Sequence, residues 1–294
     1  MILDPNTSEW LNLLARWFHV FAGILWVGTT YYFTWLDARL SEAEAVATSA
    51  GGRPQIWMVH SGGFYVVEKQ KQPGTETLHW FRWEAALTWL SGMILLVVVY
   101  YLGGALVEAD IGKNVVQLVA GLPYIGSSIA PYLSAHFEGF AIAFSLALLV
   151  VGWVVYDLLM LSPLGRNETA FAVVAYALLV GVAYLLTHVL SGRAAYIHMG
   201  ALLGTLMVAN VWMRILPAQR RMIAATRAGE TPDARLGAQA KLRSKQNTFM
   251  AVPVVFTMIS NHFPTATYGS RYDWIILSIL ILVGWVAAKF IRRG

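Results

Sequence analysis

Runs of about twenty predominantly apolar residues recur along this chain, and they constrain its fold more than any other feature. Each is long enough to cross a hydrocarbon core of about 30 Å as an α-helix. In lipid, only helices and closed barrels satisfy their own backbone polar groups. Seven spans are predicted, at about 10–36, 80–104, 137–161, 168–190, 194–217, 247–263 and 271–291. Only 13% of the residues are charged, against about 25% in an average soluble domain. The expected class is an all-α integral membrane protein, a single transmembrane domain over 1–294 built as a bundle of about seven transmembrane helices. Residues 37–79 form a polar loop subdomain whose centre, "IWMVHSGGFYVVEK", predicts a short β-hairpin around a Ser-Gly-Gly turn. The opening "MILDPNTSEW" is polar and acidic, which is not the pattern of a signal peptide.

The placement of Lys and Arg orients the spans. The loop after the fifth span carries Arg220, Arg221, Arg227, Arg235, Lys241, Arg243 and Lys245, which assigns it to the cytoplasm. The N-terminus is then outside and "KFIRRG" inside. Arg39, Arg53, Lys69 and Lys71 also fall inside, while Glu108 and Asp110 fall outside. These loop charges account for the net charge of +5 without a nucleic-acid partner. The chain has no cysteine, which excludes disulfides, iron–sulfur clusters, thiolate-ligated haem and covalent c-type haem attachment. A metal would need His, carboxylate or Met.

The first span, "ARWFHVFAGILWVGTTYYF", holds Arg16 and His19 inside it. An ionisable residue within a span is a functional-site hypothesis by default. Topology puts five of the seven histidines in the outer half: His19, His136, His188, His198 and His262. His60 and His79 fall on the cytoplasmic side. His19, Gly23 and Trp26 share one helical face, and His198 is followed by Gly200 and Gly204. Small residues beside a buried imidazole leave room for a macrocycle, and imidazole is a standard axial ligand of b-type haem. The same glycines equally serve close helix packing, and the histidines equally serve hydrogen bonding or a proton relay.

At the inner start of the second span, "LHWFRWEAALTWLSG" places Glu84 a turn inside the membrane with Arg82 and His79 just below. Either Arg82 snorkels and Glu84 favours the helix N-terminus, or Glu84 and His60 line a cavity open to the cytoplasm. "YDLLMLSPLGRN" predicts a helix stop with Asp157 and Arg166 near the membrane surface, and Pro264 in "SNHFPTATY" stops the sixth span.

Six ordered motifs carry a resemblance: "RWFHVFAGILWVGTTYYF", "VHSGGFY", "WFRWEAALTWLSG", "YDLLMLSPLGRN", "SGRAAYIHMGAL" and "SNHFP". Together they resemble the integral-membrane domain of the bacterial cytochrome c-linked membrane urate hydroxylases, over about residues 8–290. Only the segment around 108–136 looks longer than that family's pattern. The resemblance implies a multi-pass protein of the bacterial inner membrane that oxidises urate to 5-hydroxyisourate. Water supplies the oxygen, and electrons pass to a c-type cytochrome. This chain has no Cys for a c-type haem of its own, so the acceptor is expected to be a separate cytochrome, unless the chain is a piece of a longer protein or the activity has changed. One or two haem b groups are expected, with His19 and His198 as leading axial ligands to the iron, His188 and His262 as a second pair or alternatives, and Gly23 and Gly200 beside them.

For urate, Arg82, Trp83, His60 and Glu84 offer a cation, an aromatic wall and a base from the cytoplasmic side. Arg16 and Arg193 would instead hold it beside the haem, which direct electron transfer favours. Two other function classes share these features: a purine or small-anion transporter, and a haem- or copper-binding redox assembly protein. No inverted repeat of the transporter kind is visible.

Overall fold

A computed structural model of the protein describes residues 4–50, 54–70 and 77–292. Of the basic residues that orient the chain, Arg53, Lys71 and Arg293 lie outside the described residues.

Helix α1 runs Pro5–Ala50. The Asp4 carboxylate starts it by accepting the amides of Asn6 at 3.0 Å and Thr7 at 3.2 Å. Pro5 takes the first helical position, where a missing N–H costs nothing. The Thr7 hydroxyl donates to the same carboxylate and holds it below the usual carboxylate range. The helix expected to end near residue 36 continues to Ala50, because "LDARLSEAEAVATSA" is rich in helix formers and lacks Gly and Pro.

The predicted hairpin follows, with β1 (Gln55–His60) antiparallel to β2 (Gly63–Glu68) and His60 opposite Gly63. Ser61 and Gly62 both take positive φ, 49° and 77°, the mirror-image turn that suits strand twist. Lys69 ties the hairpin base to Asp37 of α1 at 2.9 Å.

Helix α2 (Trp83–Leu96) ends in a π-turn, Val97–Tyr101. The long segment before the third span forms two short helices, α3 (Ala109–Ala120) and α4 (Gly126–Ala135). Then come α5 (Phe137–Leu161), α6 (Glu168–Val189) and α7 (Gly192–Ala209). A second π-turn, Asn210–Ile215, joins α7 to α8 (Leu216–Arg227). The chain closes with α9 (Ala234–Ile259) and α10 (Asp273–Ile291). Asn167, Ser191 and Asp233 start α6, α7 and α9 by accepting backbone amides on their side chains.

Among the described residues, six helices are long and apolar enough to cross a membrane: Asn6–Ala47, Trp83–Tyr101, Phe137–Leu161, Glu168–Val189, Gly192–Arg227 and Asp273–Ile291. Helix α9 is not one of them, because its first half carries Arg235, Lys241, Arg243 and Lys245. It still lies within the bundle. The Asn210 amide donates to Asn247 at 2.9 Å, and Thr257 packs against Gly200, so α9 runs antiparallel to α7.

Neighbours alternate in direction around α7, whose residues are the most thoroughly buried in the protein. The Trp89 indole donates to Thr205 at 3.0 Å, which pairs α2 antiparallel to α7 when Tyr101 meets His198. Helices α5 and α7 are parallel, with Gly152 against Leu202 and Ser145 near His198 through Tyr101. One end of the bundle therefore gathers the starts of α1, α5, α7 and α10 and the ends of α2, α6 and α9. The opposite, basic end holds the hairpin, α8 and the first half of α9.

Candidate functional site

His198 and His19 mark the polar interior of the first end. His198 is fully buried on α7. Its Nδ1 lies 2.7 Å from the Ala194 carbonyl, one turn back. A carbonyl only accepts, so Nδ1 carries the proton and Nε2 the lone pair. The Tyr101 hydroxyl lies 3.3 Å from that nitrogen and 2.9 Å from Ser145 Oγ. The π-turn makes this arrangement possible: consecutive Tyr100 and Tyr101 both reach the imidazole, with ring centroids 5.8 and 5.9 Å away. His19 has the same tautomer. Its Nδ1 is 3.0 Å from both the Thr88 carbonyl and Ser91 Oγ on α2. Gly92 makes the space, since a Cβ there would stand 2.9 Å from the His19 ring.

Each imidazole thus presents the unprotonated nitrogen that a metal ligand needs. The two are not brought together. His19 meets α2 at residues 88–92 and His198 meets it at residues 100–101. The two rings therefore contact different turns of α2. Among the described residues, no group of three or more His, Asp or Glu could hold a metal ion.

The remaining histidines are dispersed and exposed. His188 stacks on Tyr184 at 4.0 Å and His136 on Tyr132 at 4.4 Å, each with Nδ1 on that tyrosine's carbonyl. His262 ends a short turn, Ser260–His262. His60 stands at the hairpin tip beside Ser61, and His79 packs on Phe81.

Arg193 packs on Tyr100. The Arg193 guanidinium lies 5.9 Å from that ring and donates to Asn261 Oδ1 at 3.1 Å. The Arg16 Nε donates to Asn12 Oδ1 at 2.6 Å. Gly200 serves packing: Thr257 and Met258 of α9 fill the place its side chain would take. Gly23 lies over Thr88 at 3.9 Å from a notional Cβ.

The first turn of α2 is different. The Arg82 guanidinium lies 5.5 Å from the Trp83 ring and 5.9 Å from Trp212, and the two indoles meet edge to face at 5.9 Å. Trp212 comes from the π-turn of α7. Five buried side-chain polar atoms lack a partner among the described residues, and three of them sit here: Arg82 Nε, Glu84 Oε2 and Trp212 Nε1. Buried donors and acceptors are almost always satisfied, so such a group calls for an explanation. A cation, an indole donor, an aromatic wall and a carboxylate would suit a planar anion with ring N–H and carbonyl groups. Trp212 was not visible as a member because it lies about 130 residues from Arg82 in the chain; its only local signal is the aromatic residue itself.

A family model described as "Urate oxidase N-terminal" matches residues 5–293. No match is found among curated proteins or among solved structures. With that match spanning nearly all of the bundle, the chain belongs to the urate oxidase N-terminal family.

Proposed function

We propose that this protein binds urate at the first turn of α2 and oxidises it there to 5-hydroxyisourate, from a multi-pass position in the bacterial inner membrane with the basic end in the cytoplasm. The observation that carries the site is the cluster of partnerless buried atoms, Arg82 Nε, Glu84 Oε2 and Trp212 Nε1. Family membership supplies the substrate class. The outer alternative around Arg16 and Arg193 is less open, because both arginines already donate to asparagine side chains.

The chemistry follows from what the residues offer. Urate is largely a monoanion at neutral pH, and Arg82 supplies the opposite charge in a low-dielectric setting. The Trp83 and Trp212 rings, set edge to face, form one aromatic wall for the purine, and the Trp212 indole N–H donates to a ring carbonyl. Glu84, with no cation within ion-pair distance among the described residues, accepts a proton from the water that attacks the purine C5. Overall, urate and one water give 5-hydroxyisourate, two protons and two electrons. The electrons leave to two equivalents of a separate c-type cytochrome. A haem b at the first end would supply one-electron steps. His198 and His19, each with the tautomer for ligation, would be the residues to hold it. Binding, orientation of the purine and removal of the proton rest on the chain's own side chains.

The test is urate-dependent reduction of cytochrome c by the purified protein, alongside urate binding followed by indole fluorescence. Glu84→Gln is expected to keep binding and lose turnover, whereas Arg82→Gln weakens binding. Full turnover in Glu84→Gln overturns the site. Urate counterflow in vesicles without cytochrome reduction would make the protein a transporter instead.

A further inference from the structure

A cavity of about 420 Å³ opens at the basic end, between the α5–α6 turn, the α7–α8 junction and the first half of α9. No residue of the proposed urate site lines it. Its polar lining is Ser162, Arg166, Glu168, Arg214, Arg221, Gln239 and Arg243, and the rest is largely apolar, from the last turns of α5 and neighbouring leucines and methionines. Four arginines thus face one space.

Their carboxylate partners are too few. Asp157 takes both Arg214 and Arg243, the latter at 2.6 Å. Glu168 on the rim is held by Lys245 at 2.7 Å. Among the described residues, Arg166 and Arg221 have no carboxylate partner. Arg243 is 5% exposed, so the cavity floor is a buried cation. Around the space stand five cations (Arg166, Arg214, Arg221, Arg243 and Lys245) and two carboxylates (Asp157 and Glu168), which leaves three positive charges in excess.

The position adds a second constraint. The cavity begins where α5 ends at Leu161 and α6 starts at Glu168, both ends of apolar spans. A ligand there has its charged part among guanidinium groups at the polar boundary and apolar walls beside it. Arginine's planar fork matches phosphate oxygens two at a time, and basic pockets between spanning helices at this level suit acidic lipid headgroups.

We infer that this cavity is a phosphate-binding site, lined by Arg166, Arg214, Arg221 and Arg243, that takes either the headgroup of an acidic phospholipid or a free phosphate. Asp157 stations two of the arginines, and Arg166 and Arg221 close on the anion from the rim.

The experiment measures the thermal midpoint of the whole protein in neutral detergent, with no urate present, so that its outcome is independent of the catalytic proposal. The probes are mixed micelles containing phosphatidylglycerol, the same micelles with phosphatidylcholine, and inorganic phosphate against an equal ionic strength of chloride. A ligand bound only by the folded state raises the midpoint by at least about 3 °C when well above its dissociation constant. A rise with phosphatidylglycerol alone identifies a lipid, and a rise with inorganic phosphate identifies a soluble anion. Either rise is expected to vanish in Arg166→Gln/Arg221→Gln, two exposed positions whose exchange spares the fold. It is expected to persist in Arg227→Gln/Arg235→Gln, which removes the same charge outside the cavity. No rise with either probe, or a rise that survives in Arg166→Gln/Arg221→Gln, overturns the inference.

Discussion

The Asp157 group and the start of α2 each bring arginine and carboxylate close together, and they resolve the encounter differently. Near the basic end, Asp157 receives Arg214 through both oxygens and Arg243 through one. Arg243 also donates to Asn210 at 3.1 Å, and Asn210 donates to Tyr156 and Asn247 at 3.0 and 2.9 Å. Helices α5, α7 and α9 are laced together by this network. At the start of α2, Arg82 and Glu84 stand two residues apart and make no ion pair. Arg82 turns to two indoles instead, and Glu84 Oε2 is left without a partner among the described residues. A buried ion costs several kcal/mol unless it is paired and hydrogen-bonded. In the first group the carboxylate ties three helices together; in the second it is left without a partner among the described residues.

That contrast can be broken most directly at Asp157. Asp157→Ala leaves Arg243 buried and uncompensated, and is expected to lower unfolding stability by about 3–5 kcal/mol. Chemical denaturation in detergent measures it, and a loss below about 1 kcal/mol would erase the distinction. The converse substitution is Glu84→Gln. Stability should move by no more than about 0.5 kcal/mol, while urate turnover falls on the order of 10²–10⁴-fold, the usual worth of a positioned base. Equal losses of stability and activity would make the two groups alike. Gly200→Val sharpens the comparison with a change that involves no charge. It forces a side chain into Thr257 and Met258 of α9, at a cost of about 1–3 kcal/mol in thermal unfolding. The smallest effect is expected for Tyr101→Phe. It strips a hydroxyl from Ser145 and His198 and should cost about 1 kcal/mol, read from the same denaturation curves.

What could be foreseen from the sequence follows the range of the forces involved. Apolar runs are local, so α5 and α6 begin and end close to where hydropathy placed them. The Ser-Gly-Gly turn is likewise local chemistry, and the hairpin register follows from it. Helix α9 was half visible: only its apolar part reads as a span, because the first half carries Lys241, Arg243 and Lys245, which pair with α1, α5 and α6. The Asp157 network joins residues 157, 210, 214, 243 and 247, and no local pattern announces such a group. Asp157, expected near the membrane surface, lies about one turn from the end of α5 and is 8% exposed. The histidines illustrate the same limit. Helix counting assigns each a position along its helix, but which face of α2 His19 and His198 meet depends on tertiary packing and on a π-turn that composition does not encode.

Those two π-turns have a consequence for how the bundle can vary. An α-helix rotates about 100° per residue, and a π-turn accommodates one surplus residue without breaking the rod. In α7 it decouples the phasing of the halves: His198 keeps its bearing on the tyrosines of α2, while Trp212 and Arg214 are aimed separately at α2 and α5. Deleting a single residue from 210–215 would swing everything on one side of it by a quarter-turn or more relative to the other. The segment acts as a clutch between an imidazole-bearing shaft and an arginine-bearing one, and lets either be re-indexed while the other stays engaged.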